Sequence, residues 1–146
     1  MTPEVIVLKI MAAIDQSIYA DKVLDRAIDL AKREEAELTV VTVVEFSFVN
    51  TAELGGHPDI LEQFRLDSER RLDEMRRKAV DKGLKAQIEV LEGASPADSI
   101  IQYADKHGID LIVVGHKGRS AIERFLVGSV ANKVVTHAPC SVLVVR

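Results

Sequence analysis

The stretch V-I-V-L-K-I-M-A-A-I-D-Q-S, Val5 to Ser17, decides the fold when it is read with the residues that follow it. Val5 to Ile14 is rich in apolar and β-branched residues and predicts a strand. Asp15-Gln16-Ser17 then supplies polar residues suited to capping a helix. From Ala20 onward, Val23, Leu24, Ala27, Ile28 and Ala31 recur at intervals of three and four, which puts them on one helical face. Asp21, Lys22, Asp25, Arg26 and Asp29 are left for water. The result is one βα unit.

The same alternation continues to the end of the chain. Leu38 to Val44 is almost continuously apolar, as a strand covered on both faces by helices must be. Phe46 to Pro58 contains Gly55-Gly56 and has no period, so it reads as a long loop. Leu61, Phe64, Ser68, Leu72, Met75 and Ala79 then trace a narrow inner stripe. Asp67 with Arg71 and Glu74 with Lys78 are spaced for ion pairs on the outer face. Gly83 is placed to end that helix. Ala86 to Leu91 alternates more than the other strands, which suggests a place nearer a sheet edge. Ser95 as N-cap and Pro96 at the first helical position open a third helix, and His107-Gly108 closes it. Asp110 to Val114 is a fourth strand. A last helix, Ser129 to His137, is expected to turn Val130, Val134 and Val135 inward, and Ser141 to Val145 follows Pro139 as the fifth strand. Five strands joined by helices, with no hairpin signal, require right-handed crossovers and hence an open, doubly wound α/β sheet with helices on both faces.

Composition narrows the function. The 146 residues are 47% apolar, enough for one core, and residues 1–146 are expected to form a single domain. The formal net charge of −4 argues against a general affinity for nucleic acid, so a phosphate ligand would have to be held locally. Cys140 is the single cysteine; it cannot form an intramolecular disulfide and reads as a small core residue. The apolar stretch Val5 to Ile14 is too short for a membrane span and has no basic leader. These features lead to the expectation of a cytoplasmic protein that does not bind membranes.

In open α/β sheets ligands settle beyond the carboxyl ends of the strands. Asp15 follows the first strand; Gly115-His116-Lys117-Gly118 follows the fourth; Gly128-Ser129 comes nine residues later. Gly115 and Gly118 are able to adopt positive φ and let main-chain N–H groups approach an anion without a Cβ in the way. Gly128-Ser129 opens a helix whose free N–H groups and positive dipole end favour a phosphate. Three or four such donors, each worth about 1.5–3 kcal/mol to a charged partner, suffice for micromolar binding. Lys117, Arg119 and Arg124 outnumber Glu123 in the same segment. Taken singly, each glycine is a turn or a packing residue, and Asp15 and Ser129 are caps. Their combined spacing points to a phosphate cradle.

At these residues the chain resembles the universal stress protein family. The ATP-binding pattern G-x2-G-x9-G-[ST] of that family stands complete as Gly115, Gly118, Gly128 and Ser129. The start I-M-A-A-I-D-Q-S and the end G-S-V-A-N-K-V-V-T-H-A-P-C-S-V-L-V-V-R match the family's first strand and its closing helix and strand. The resemblance implies a sheet of order 3-2-1-4-5 and ATP as ligand. It implies Asp15 at the ribose or adenine and the Val43 backbone at adenine. Gly115, Gly118, Gly128, Ser129 and the amide of Val130 would surround the ribose and phosphates, with Arg119 in the same binding set. Mg²⁺ or Mn²⁺ would bind through the phosphates. It further implies a homodimer formed through the strand Ser141 to Arg146, an apolar edge. Two positions depart from the usual pattern: Gln16 replaces a small residue, and His116 stands where Ser or Thr is common.

Other chemistries fit less well. A slow ATPase or phosphotransferase is the alternative, but the lysine of G-x-x-x-x-G-K-[ST] is absent and no carboxylate is obviously placed to activate water. A receiver-type phosphorylation switch needs a phosphorylatable Asp after the third strand, where Glu92-Gly93 stands. A dinucleotide fold needs G-x-G-x-x-G after the first strand, and it is missing. His57, His107 and His137 have no partners at zinc-ligand spacing. The expected role is nucleotide-dependent signalling with little or no hydrolysis.

Overall fold

A computed structural model of the chain describes residues 6–45, 58–116 and 128–146. Along the chain the elements are β1 (Lys9–Ala13), α1 (Ala20–Glu34), β2 (Glu37–Glu45), α2 (Pro58–Asp81), β3 (Ala86–Gly93), α3 (Pro96–Lys106), β4 (Leu111–Gly115), α4 (Ser129–His137) and β5 (Ser141–Val145). All five strands are parallel and lie in the order β3-β2-β1-β4-β5. The expected open, doubly wound sheet is therefore the observed one, and β3 does lie at an edge.

Strand residues alternate between two cores because successive side chains point to opposite faces. Ile10, Ala12, Leu38, Val40 and Val113 pack with the buried faces of α1 and α2. Met11, Val41, Ile112 and Val114 pack with α3 and α4 on the other side. All five inward residues expected of α1, Val23, Leu24, Ala27, Ile28 and Ala31, are buried, and Ala20 with them. In α2 only the later part of the stripe, Leu72, Met75 and Ala79, is buried, while Phe64 remains 45% exposed. Ser95 caps α3 as its sequence predicts, its hydroxyl oxygen accepting from the Asp98 amide at 3.3 Å with Pro96 in the first turn.

Several local expectations are corrected. Among the described residues paired β-structure begins at Lys9, where the register with Glu37 of β2 starts, so Ile6 to Leu8 of the expected strand stand ahead of the sheet, and Val5 lies outside the described residues. Ile6, ahead of the sheet, is 81% exposed. Asp15 and Ser17 do not cap α1; its N-cap is Tyr19, which makes no side-chain cap bond. Instead Asp15 Oδ1 accepts from the Ser17 amide at 2.9 Å and Ser17 Oγ accepts from the Tyr19 amide at 3.2 Å. Two nested turns of this kind satisfy the backbone before the helix starts. The ion pairs of α2 also differ: Asp67 meets Arg70, and Lys78 reaches across to Asp21 of α1 at 2.9 Å. In α4, Ala131 and Val134 are buried while Val135 is 51% exposed, because α3 covers the other side of the helix. Residues 46–57 of the expected loop lie outside the described residues, and Pro58 already belongs to α2.

Candidate nucleotide-binding site

Helices α1 and α2 leave for one face of the sheet and α3 and α4 for the other. The crossovers part between β1 and β4, and there a cleft of about 1100 Å³ opens at the carboxyl ends of the strands. This is the switch point at which ligands of doubly wound sheets are expected.

Six of the eight residues singled out from the sequence line that cleft: Asp15, Val43, Gly115, Gly128, Ser129 and Val130. Gly118 and Arg119 lie outside the described residues, as do Lys117 and Arg124. Asp15 reaches the cleft from the β1–α1 turn. One of its carboxylate oxygens serves that turn, and the other has no protein partner among the described residues. Val43 contributes a half-buried position on β2, paired in register with Leu91 of β3. Gly115 ends β4.

The cradle side is built from main chain. The His116 amide donates to the Val145 carbonyl at 2.8 Å, which prolongs the β4–β5 ladder by one residue. The His116 carbonyl in turn accepts from the Gly128 amide, so the end of β4 and the start of α4 meet. Gly128 is the N-cap of α4 and offers no side-chain cap bond. Early amides of a helix have no intrahelical acceptor, and those of Ser129 and Val130 stand beside the cleft. The first turn of α4 carries no acidic residue. An anion is the natural partner for such an end.

One expectation about the glycines fails. Gly115 is not in the positive-φ region; among the described residues only Gly83, Gly108 and Glu35 are. Its extended conformation follows from its pairing with Val145 in the ladder. At this position the absent side chain, not an unusual backbone angle, is what suits a closely approaching ligand.

Phe64, Pro96 and Ile100 also line the cleft; the sequence marks Phe64 only as part of the inner stripe of α2 and Pro96 only as the first helical residue of α3, and it does not single out Ile100. A signal existed for α3 alone: it begins three residues after the carboxyl end of β3, so its start must border any ligand there. Among the described residues, no group of three or more His, Cys, Asp or Glu is placed to hold a metal ion. No described helix is long and apolar enough to cross a membrane.

Comparison with known proteins bears on the family and the fold. The profile of the universal stress protein family matches residues 7–146. Universal stress protein YxiE of Bacillus subtilis (strain 168) is 35% identical over 146 residues, covering 94% of this chain and 98% of that one. Among solved structures, the universal stress protein UspA from Lactobacillus plantarum superposes with a TM-score of 0.85 at 29% identity, covering 98% and 100% of the two chains. A universal stress protein solved in complex with cAMP gives a TM-score of 0.69 at 25% identity, covering 95% and 96%.

Proposed function

The chain belongs to the universal stress protein family, and from that premise we propose that it binds an adenine nucleotide, ATP foremost, in the cleft between β1 and β4. The observation that carries this reading is the meeting, in one cleft, of Asp15 with the start of α4, which has no side-chain cap bond among the described residues. A carboxylate at one end suits ribose hydroxyls or the adenine amino group, and free amides at the other suit phosphates. The cAMP complex of a similar protein supports the same class of ligand. Asp15 and the Val43 backbone take the adenosine side. Gly115, Gly128, Ser129 and Val130 surround the ribose and phosphates together with Gly118 and Arg119. A Mg²⁺ or Mn²⁺ ion would be carried by the phosphate oxygens, consistent with how such ions use ligand phosphates and water.

The nucleotide acts as a conformational signal and is turned over slowly or not at all. What favours this is a main-chain cradle without a Walker lysine. The protein works in the cytoplasm, a compartment that suits its lone thiol. It pairs through β5, whose outer edge is free among the described residues and whose Val142, Leu143, Val144 and Val145 are all only half-buried. The opposite edge, β3, carries exposed Gln87, Glu89 and Glu92, which discourage edge-to-edge pairing.

The deciding experiment is mass spectrometry of nucleotide released from the purified protein, joined to calorimetric titration with ATP, ADP and AMP. Co-purified adenine nucleotide, or saturable binding, is expected. No bound nucleotide and no heat at millimolar ligand would overturn the reading.

A further inference from the structure

The two halves of the cleft are borne by separate loops. Asp15 belongs to the β1–α1 turn, whereas Gly115, Gly128 and Ser129 belong to the β4–α4 crossover. Among the described residues no hydrogen bond or ion pair joins residues 15–19 to residues 115–131. A ring contact does: the rings of Tyr19 and His116 meet edge to face, with centroids 5.4 Å apart and planes inclined by 72°. Each ring is tied to its own half of the site. Tyr19 connects back to Asp15 through the two nested turns at Ser17. His116 holds the Gly128 amide by its carbonyl and the edge strand by its own amide.

Among the described residues the imidazole of His116 has no polar partner, and its Nδ1 is buried. A desolvated nitrogen without a partner is an unfavourable arrangement, so the ring is kept in place by packing and by the main-chain bonds on either side of it. The geometry points to Tyr19 and His116 as positioning residues: their ring contact is a brace that sets the separation between the Asp15 turn and the phosphate cradle. The inference rests on the nucleotide-binding reading above. Its consequence is a dependence on ligand span. A ligand that touches both halves gains from a separation fixed in advance. Adenosine, which has no phosphate to reach the amide end of α4, gains less.

The test is calorimetric titration of the full chain and its variants with AMP and with adenosine. Tyr19→Ala is expected to weaken AMP about ten-fold and leave adenosine within about two-fold. Tyr19→Phe, which keeps the ring, should bind both ligands as the parent does. His116→Ala should reproduce the AMP loss, and the double variant should lose no more than either single one, because both remove the same contact. Should Tyr19→Ala not fold, His116→Ala against Tyr19→Phe makes the same comparison. Equal losses for AMP and adenosine, or a Tyr19→Phe protein as weak as the alanine variant, would overturn the brace. A parent chain that binds neither ligand would instead defeat the nucleotide reading on which the brace depends.

Discussion

The main-chain amide of Gly128 donates to the carbonyl of His116, and this bond fixes where the first turn of α4 stands relative to the end of β4. Because the neighbouring His116 amide is held by Val145, the start of α4 is referenced to the sheet itself and not to a free loop. Amides intended for an anion are most effective when their positions are set before the anion arrives.

Ser129→Glu should separate stability from binding. Ser129 is exposed and the first turn of α4 lacks an acid, so a carboxylate there complements the helix dipole by about 0.3–1 kcal/mol. The same charge repels a phosphate. Thermal unfolding should show an unchanged or higher midpoint, while titration shows nucleotide affinity lower by at least about ten-fold. Equal affinity would remove the α4 end from the site.

Asp15 has two separable duties, its turn with Ser17 and its free oxygen at the cleft. Asp15→Asn keeps an acceptor for the Ser17 amide but loses the charge. Asp15→Ala loses both. Nucleotide binding should fall in the order parent, Asn, Ala, with the alanine variant down by about 1.5–3 kcal/mol. An alanine variant with parental affinity would show that Asp15 serves the turn alone.

Val144→Pro should abolish pairing through β5 without unfolding the sheet. Val145 directs its carbonyl toward β4, where it meets the His116 amide, and main-chain polar groups alternate sides along a strand. Val144 therefore points its N–H outward, and losing it spares the internal ladder. Sedimentation analysis should give a dimeric parent and a monomeric variant with the parental circular dichroism. A monomeric parent would refute the proposed homodimer.

Acid should erase the contribution of Asp98. The Lys133 ammonium, 2.9 Å away, bonds its carboxylate and holds its pKa below the ordinary value of 3.8, against a smaller opposing effect of burial. A depressed carboxyl pKa means stability that is present above the unfolded value and lost as pH falls through the folded one. The melting temperature of the parent should thus exceed that of Asp98→Asn near neutrality, with the gap closing below pH 3.8. A gap that acid leaves untouched would assign the effect to packing. Asp73, held down by Arg76 and Arg77, should behave alike.

What could be read from residues alone was whatever depends on neighbours a few positions away. A helical period is local, and every inward position expected of α1 is buried. The Ser95-Pro96 start of α3 is likewise a contact between residues three apart. The glycine and serine spacing after β4 told which main chain would border the cleft, and Gly115, Gly128 and Ser129 do border it; Asp15 was marked by its place after β1, and Val43 and Val130 only by the family resemblance.

Tertiary structure decided the rest, because the deciding forces came from segments distant in sequence. Among the described residues β1 starts at Lys9, where its register with Glu37 of β2 starts. Gly115 is extended because Val145 pairs with it. Val135 faces outward because α3 covers the opposite side of α4, a choice that two overlapping apolar stripes leave open. The contact between Tyr19 and His116, 97 positions apart by their numbers, has no trace in spacing at all. Pattern fixes which face of an element is apolar; only assembly of the elements determines what each face meets.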